Sequence, residues 1–369
     1  MKKYQEPERI LYINGGTMDF GGISSYMMNY YRNIDREKLQ IDFAVHGKKD
    51  RYDDEILSLG GKIYYLPTKK EDFKGWKNAL IKIFKSGEYK IVHAHADTMN
   101  GYILKLAAQC KIPVRISHSH NTAHLTNNKL KILVHDIIKT QIYKYATHLW
   151  ACSEAAGKWL YKNRPFDVIP NAVNLEKYSF NEELRKEVRE ELGLKDEFTI
   201  GHIGKFEYQK NHEFLTDVFS EVVKLKDDSR LVLVGDGSER ENIEKKAEKL
   251  GIKDKILFLG KRTDAERLYN AFDVFVMPSR FEGLPVTLVE AQANGLSQIL
   301  SDCITKEVDI TGVSTFISLN KSPSYWAEKI VSEKRKIPKK QAEESVINAG
   351  YSIKDEADKL LERYIKSGE

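Results

Sequence analysis

The chain has 369 residues, of which 41% are hydrophobic and 31% charged, and its formal net charge is +5. The length favours two domains over one, and the hydrophobic fraction can form ordinary buried cores, which excludes a disordered chain. No stretch approaches the roughly 18–20 apolar residues of a membrane-spanning helix, and the polar start is unlike a secretory signal.

Short β-rich runs alternate with longer helical patterns through the first part of the chain. A strand is predicted at 9–13, followed by a loop through Gly21 and Gly22 and a helix over about 23–33. Further strands are predicted at 40–45, 62–66, 89–93, 114–117 and 148–151. Repeated β-α-β order predicts a parallel sheet with helices on both faces.

The same pattern then starts again. Strands are predicted at 198–203, 230–234, 255–259, 274–277, 298–301 and 315–319, with helices between them. We therefore predict an α/β fold of two doubly wound, Rossmann-like domains, residues 1–172 and 173–350, with the linker at 169–174. The last segment, 351–369, contains an amphipathic pattern and is expected to be a helix that packs back towards the N-terminal domain.

The most specific local feature is the run from Arg280 to Pro285, which follows the strand at 274–277 and opens a helix. Pro285 suits the first helical turn, and a helix start is a natural site for phosphate. Glu282 and Glu290 would flank this site and suit the hydroxyl groups of a sugar or ribose. Alternatively, Glu282 caps the helix and Glu290 is solvated.

Three other loops follow predicted strands. Lys205 and Lys210 share one loop, where cations beside a helix start can neutralise a diphosphate, although a lysine pair is more often plain surface. Gly235 lies in a Gly-x-Gly turn at the edge where open α/β sheets bind ligands, but the third glycine of a dinucleotide fingerprint is absent. Gly21 and Gly22 could place amides near a phosphate or sugar, or form a flexible loop.

Histidines cluster where two strands end. His93 and His95 form one pair, and His118 and His120 form another. Alternation would place each pair on one side of an extended chain. Since neither a His-Glu-x-x-His helix nor a cysteine set accompanies them, we predict no metal site and expect hydrogen-bonded histidines in a core or cleft.

These motifs, in this order and spacing, resemble those of the retaining, nucleotide-sugar-dependent glycosyltransferases with the GT-B fold. The resemblance is closest to the family-4 branch that builds bacterial capsule and exopolysaccharide, and it covers nearly the whole chain. Its strongest mark is the pair Glu282 and Glu290 with seven intervening residues, supported by the two histidine-bearing strand ends, Gly21–Gly22 and the segments 151–154, 168–174 and 204–211. It implies two domains facing a central cleft.

The resemblance also implies roles for the residues that bind the donor. Gly21 and Gly22 would approach the donor diphosphate from the first domain, and Lys205 and Lys210 would bind it from the second. Glu282 would hold hydroxyls of the donor sugar. A final set would contact the sugar, phosphate, ribose or base: Gly283 and Leu284 near the sugar or phosphate, Glu290 at the ribose, Lys261 and Arg262 near the base, and Phe281 as a further substrate-binding residue.

One histidine of the second pair would face the reaction centre, and His120 is favoured over His118 because it lies at the strand-to-loop corner. Two positions depart from the family pattern. Lys205 stands where arginine is usual, which gives up the bidentate fork that a guanidinium offers phosphate. The linker has Ala172 and Asn174 where glycine and aspartate are usual.

The implied activity is metal-independent, retaining transfer of a sugar from a nucleotide sugar, most often UDP-linked, to a growing lipid-linked polysaccharide. The nucleotide sugar is a substrate, and no cofactor is expected. Two alternatives stay open: a nucleotide-sugar 2-epimerase on the same fold, and a non-catalytic subunit that binds a nucleotide sugar or partners an active transferase.

Charge is divided unevenly between the two halves. Residues 1–170 contain 27 basic and 17 acidic residues, and residues 171–369 contain 32 and 37. The basic excess concentrates in 69–90 and 125–164, among the aromatic residues Trp76, Tyr143, Tyr145, Trp150 and Trp159. No nucleic-acid-binding motif accompanies it, so we expect no nucleic-acid partner. Basic residues mixed with aromatics suit peripheral contact with an anionic membrane, although a solvated lysine-rich surface is the alternative.

The three cysteines, Cys110, Cys152 and Cys303, are widely spaced. They form neither a disulfide framework nor a metal knuckle, which fits a reducing cytoplasm. Together with the basic half, this predicts a cytoplasmic protein at the inner face of the cell membrane.

Overall fold

The computed structural model describes residues 7–19, 21–124, 126, 128–333 and 337–368. The chain divides into two compact units. One comprises 1–172 together with 353–369, and the other comprises 173–352.

The N-terminal unit contains a parallel sheet. Its strands among the described residues are β1 (Glu8–Asn14), β2 (Leu39–His46), β3 (Ile63–Leu66), β4 (Ile91–His95), β5 (Val114–Ser119), β6 (His148–Ala151) and β7 (Asp167–Val168). Their order is β3-β2-β1-β4-β5-β6-β7, so the chain changes direction across the sheet between β1 and β4. The two-residue β7 was not predicted, since so short a strand carries no periodic pattern. β4 extends to His95, beyond the predicted end at 93, because its whole length is buried.

Helices follow the strands of this unit. They are α1 (Gly22–Asn33), α2 (Asp53–Ser58), α3 (Phe73–Phe84), α4 (Asn100–Gln109), α5 (Lys129–Thr140), α6 (Ile142–Tyr145) and α7 (Glu154–Tyr161). Trp76 on α3 and Trp150 on β6 are completely buried in the core. These two residues therefore cannot belong to a membrane-facing surface, contrary to their grouping with the surface lysines.

The second unit repeats this architecture. Its strands among the described residues are β8 (Phe198–Ile203), β9 (Ser229–Val234), β10 (Ile256–Gly260), β11 (Val274–Met277), β12 (Ser297–Ser301) and β13 (Ser314–Ile317). They form a parallel sheet in the order β10-β9-β8-β11-β12-β13, with the change of direction between β8 and β11. The helices are α8 (Leu175–Tyr178), α9 (Glu182–Glu191), α10 (His212–Leu225), α11 (Arg240–Lys249), α12 (Ala265–Leu268), α13 (Val286–Ala293), α14 (Pro323–Ser332) and α15 (Lys339–Asn348).

The last helix, α16 (Ile353–Gly368), packs into the core of the N-terminal unit. Its residues Ala357, Leu360 and Tyr364 are buried, at the i, i+3 and i+7 spacing of one helix face. The Tyr364 hydroxyl is hydrogen-bonded to the Tyr12 hydroxyl at 2.7 Å and to His93 Nδ1 at 2.6 Å. The C-terminal helix thus contributes a polar side chain to the middle of the first sheet. Both sheets confirm the predicted doubly wound α/β class.

Candidate active site

Two loops meet at the switch point of the second sheet. β8 and β11 are neighbours, so the loops at their carboxyl ends lie side by side where open α/β sheets bind ligands. The Arg280 amide donates to the Gln209 carbonyl oxygen at 2.8 Å, and Gln209 Nε2 donates to the Phe281 carbonyl oxygen at 3.0 Å. Asn211 Nδ2 donates to the Pro278 carbonyl oxygen at 3.1 Å. These bonds join the two predicted donor-binding loops into one structure.

An ion pair lies at the centre of this junction. Lys210 Nζ donates to Glu282 Oε1 at 2.7 Å, and Gln209 Nε2 donates to Glu282 Oε2 at 3.2 Å. The side chains of Lys210 and Glu282 are only 16% and 7% exposed. Glu282 therefore does not cap the helix, and Lys210 is not a plain surface lysine. An ammonium has three donor positions, so one bond to Glu282 leaves capacity for an anionic ligand.

The helix that follows starts one residue later than predicted. α13 begins at Val286, and Pro285 is the residue before its first turn. Among the described residues, no side chain caps this helix start, and its first turn contains no acidic residue. Phe281 is partly exposed, whereas Gly283 and Leu284 are buried beside the helix start. The start of α13 thus has the electrostatic character that attracts phosphate.

A glycine brings three loops together at the same edge. Gly235, directly after β9, has a φ of +137°, and a Cβ atom there would lie 2.0 Å from the Gly204 carbonyl oxygen. Its amide donates to the Gly260 carbonyl oxygen at 2.8 Å. Only glycine suits both this backbone conformation and this close approach. Lys205, one residue beyond Gly204, is exposed.

Glu290 is buried rather than solvated. The Tyr269 hydroxyl donates to Glu290 Oε2 at 2.6 Å. Burial raises the pKa of the Glu290 carboxyl, and hydrogen bonds from Tyr269 and Tyr178 oppose that rise. Tyr269 and Gln209 both hold a predicted site carboxylate, and no local pattern in the sequence indicates either of them.

The two basic residues expected near the base differ in their surroundings. Arg262 Nη2 donates to Glu191 Oε1 at 2.8 Å and to Asp264 Oδ2 at 2.7 Å. These carboxylates raise the pKa of the Arg262 guanidinium and hold it in a network on α9 and the loop after β10. Lys261 is exposed.

In the N-terminal unit, the loops after β1 and β4 also meet at a switch point. The Gly15 amide donates to the His95 carbonyl oxygen at 3.2 Å. Gly21 immediately precedes α1, and a Cβ atom on Gly22 would meet nothing within 4 Å. Among the described residues, no side chain caps α1. The first turn of α1 therefore has open space beside it and backbone amides without a partner inside the helix, which suits an anion.

Four histidines form hydrogen-bonded pairs across β4 and β5. His93 Nε2 and His118 Nδ1 lie 3.1 Å apart, and His95 Nδ1 and His120 Nε2 lie 2.8 Å apart. Burial lowers the pKa of each, that of His120 to about 3, so all four rings are neutral near pH 7. His118 is completely buried, whereas His120 retains 9% exposure at the end of its strand.

Asp97 is a further residue at this edge that motif reasoning missed. The His120 amide donates to Asp97 Oδ1 at 2.9 Å, and Asn121 Nδ2 donates to Asp97 Oδ2 at 2.6 Å. Asp97 has a φ of +46°, which is uncommon for a residue other than glycine. The carboxylate thus holds the strand-to-loop corner on which His120 lies.

The histidine cluster also has the spacing of a possible metal-ligand set. Ring nitrogens of His93, His95 and His118 all lie within 4.8 Å of one another. A metal ion would have to replace the hydrogen bonds within the cluster. Among the described residues, Nε2 of His95 and Nε2 of His118 are buried ring nitrogens without a hydrogen-bond partner. The absence of a functional metal stays a prediction.

Both units match known glycosyltransferase families. Residues 20–177 match the family described as Glycosyltransferase Family 4, and residues 185–351 match Glycosyl transferases group 1. A protein named as a glycosyltransferase, EpsF of Bacillus subtilis, is 36% identical over 97% of this chain and 96% of its own length. The capsular polysaccharide biosynthesis glycosyltransferase CapH of Staphylococcus aureus is 26% identical, over 87% and 90%.

A third relative has a more specific name. The UDP-Gal:alpha-D-GlcNAc-diphosphoundecaprenol alpha-1,3-galactosyltransferase of Escherichia coli is 29% identical over 78% of each chain. Among solved structures, Anabaena Alr3699/HepE in complex with UDP-glucose has a TM-score of 0.79 and 15% identity, covering 97% of this chain and 99% of that one. The latter similarity shows the fold. The chain belongs to the family-4-like glycosyltransferases of the GT-B fold.

None of the helices in the described residues combines the length and the apolar character needed to span a bilayer.

Proposed function

We propose that the protein transfers a sugar, with retention and without a metal ion, from a UDP-sugar to a lipid-linked saccharide. The observation that carries this proposal is the Lys210–Glu282 pair, held at the switch point of the second sheet beside an uncapped helix start. The E. coli relative is named for a UDP-galactose donor and a diphosphoundecaprenol-linked acceptor, which supports this donor and acceptor chemistry. We place the protein in the cytoplasm, at the inner face of the cell membrane.

The donor diphosphate is bound by cations and helix starts. Lys210 retains one hydrogen bond to Glu282 and directs its other donor positions to a phosphate oxygen. Lys205 adds a second positive charge, and the start of α13 adds amide donors near Gly283 and Leu284. We assign Gly21 and Gly22 to the same diphosphate. As the bond to the sugar breaks, these groups stabilise the departing negative charge, which is where electrostatic catalysis has most effect.

The two carboxylates orient the rest of the donor. Glu282, fixed by Lys210 and Gln209, accepts hydrogen bonds from hydroxyls of the sugar. Glu290, held by Tyr269, accepts hydrogen bonds from the ribose. Since both carboxylates are assigned to hydroxyl binding, we assign neither as a covalent nucleophile. The acceptor hydroxyl attacks the same face that the diphosphate leaves, through a short-lived oxocarbenium ion, and passes its proton to the departing phosphate oxygen.

His120 is our choice for the histidine at the reaction centre. It retains exposure directly after β5, whereas His118 is enclosed by the core. Its Nε2 is hydrogen-bonded to His95 Nδ1, which leaves Nδ1 as the atom that can meet substrate. A neutral ring can donate or accept one hydrogen bond to a sugar hydroxyl without adding charge.

The test is sugar transfer by purified protein with Glu282→Gln and Lys210→Ala variants. Both variants should lose most of kcat/KM, by about 100-fold, as expected when a charged transition-state contact is removed. The matched control is the surface pair Lys224–Glu221 on α10, whose Lys224→Ala variant should transfer at the wild-type rate. Wild-type rates in both site variants would refute the assignment.

Three further arms separate the alternatives. A thermal-shift panel of nucleotide sugars identifies the donor, because a ligand of the folded state raises its stability. Inversion at C2 with the donor alone would indicate an epimerase, and donor binding without transfer would indicate a non-catalytic subunit. Transfer in excess chelator should equal the untreated rate; a loss restored by a divalent cation would contradict metal independence.

A further inference from the structure

Helix α5 presents an apolar face to solvent. Leu130, Leu133, Val134 and Ile137 are 71%, 57%, 46% and 59% exposed. Their i, i+3, i+4 and i+7 spacing places them on one stripe of the helix, about 100° wide. Such a stripe normally faces the core of a globular protein, but here it faces outward.

The opposite side of α5 is of mixed character, because Ile132 and His135 are partly buried there beside Lys139. Lys139 is the one residue of α5 that is buried. Its ammonium lies 4.7 Å from the centre of the Trp159 ring and donates to the Trp159 carbonyl oxygen. The helix packs on α4, α6 and the turn at 97–99 through this side. The fold therefore satisfies a lysine inside while it leaves four aliphatic side chains outside.

The surroundings of this stripe are basic. Lys129 and Lys131 are exposed and lie on either side of it around the helix. Burial lowers the pKa of His135 on α5, and the nearby charges of His124, Lys69 and Lys131 lower it further, so Lys69 of the other basic segment lies near this helix. The carboxylate of α5, Asp136, lies 3.1 Å from His124 Nε2. The two basic segments of the sequence thus come together at α5, where Lys129 and Lys131 flank the apolar stripe.

We propose that α5 lies flat on an anionic lipid surface, with its four exposed aliphatic side chains at the boundary of headgroups and acyl chains. Lysines beside an apolar stripe complement the phosphates of anionic lipids, which is the recognised arrangement of an interfacial helix. At 12 residues α5 is about 18 Å long, too short to cross a bilayer.

The position of α5 relates this surface to the acceptor. The helix follows the loop that begins at His120, and it packs on the turn that contains Asp97. A lipid surface against α5 would therefore lie beside the carboxyl edge of the first sheet. This relation to the acceptor rests on the proposed function, whereas lipid binding by α5 does not.

The experiment is co-sedimentation of the full chain with vesicles containing equal amounts of phosphatidylcholine and phosphatidylglycerol. The double variant Leu133→Asp with Ile137→Asp should bind at least about tenfold more weakly, because charged side chains oppose interfacial insertion. Lys129→Gln with Lys131→Gln should lose salt-sensitive binding. The matched control is Leu57→Asp, since Leu57 on α2 is equally exposed (55%) in the same unit, and it should bind as the wild type does.

Several outcomes would overturn the proposal. One is equal binding by the wild type and the α5 double variant, and another is no wild-type binding at low salt. A wild-type dimer that becomes monomeric in the double variant, without vesicle binding, would show that a second copy covers the stripe. Donor binding by the wild type is measured in parallel by thermal shift. If no nucleotide sugar binds, the proposed function is refuted, while the vesicle result is unaffected.

Discussion

Acidification should destabilise the N-terminal unit through its four clustered histidines. His93, His95, His118 and His120 have pKa values lowered by burial, so the folded state keeps them neutral well below pH 6. In the unfolded chain, a histidine takes up a proton near its ordinary pKa of about 6.5. The unfolded state therefore binds more protons, and stability is present above pH 6.5 and lost as the pH falls below it.

The stability lost on acidification depends on the number of buried histidines rather than on the size of each pKa shift. Each histidine that stays neutral in the folded state costs about 1.4 kcal/mol for every pH unit below 6.5. Four such groups give an upper value of about 5–6 kcal/mol at pH 5.5, which is comparable with the whole stability of a typical domain. We therefore expect the urea midpoint to fall steeply between pH 7 and pH 5.5.

The assay is urea unfolding at several pH values, followed by circular dichroism. His95→Gln removes one of the four titrating groups. The number of protons taken up on unfolding, obtained from the change of unfolding free energy with pH, should therefore fall by about one. The series is repeated at high salt, which screens exposed charges and leaves buried groups almost unaffected. A wild-type midpoint that is independent of pH in this range would refute the reasoning, as would a variant with an unchanged slope.

Three other predictions concern the second unit. Glu282→Gln and Lys210→Met, made singly and combined, should show a coupling of about 2 kcal/mol in the free energy of urea unfolding, because each change leaves its partner buried without an ion pair. In the exposed control pair, Glu221→Gln and Lys224→Met should couple by less than about 0.5 kcal/mol. Tyr269→Phe removes the 2.6 Å bond to Glu290 and should weaken donor binding by about tenfold in calorimetry, whereas unchanged affinity would remove Glu290 from the ribose site. Gly235→Ala places a Cβ atom 2.0 Å from a backbone oxygen and should cost more than about 2 kcal/mol of unfolding free energy, against about 1 kcal/mol for Gly193→Ala, where the φ is also positive but the space is open.

Much of the architecture could be predicted from local patterns. Buried runs such as 198–203 and 274–277 are strands because consecutive apolar and β-branched residues must be covered on both faces of a parallel sheet. Their alternation with helical segments predicts the doubly wound class. The family followed from the order and spacing of short motifs around Glu282, Glu290 and the strand-end histidines.

The partners of the site residues could not be predicted in the same way. Lys210 and Glu282 are 72 residues apart in the chain, and they meet because β8 and β11 are neighbours. His93 meets Tyr364 across 271 residues, since the last helix returns to the first sheet. Such contacts depend on which strands and helices become adjacent, and no local window of sequence contains that information.

Helix α5 shows most clearly what the sequence determines and what the tertiary structure adds. The sequence by itself determined that 125–164 is a basic segment with aromatic residues among its lysines. Composition shows which residues this segment contains, but it does not say which of them face solvent. Only the tertiary structure decided that Lys139 lies inside against Trp159 and that Leu133 and Ile137 lie outside, since α4, α6 and the turn at 97–99 already cover the opposite side of the helix.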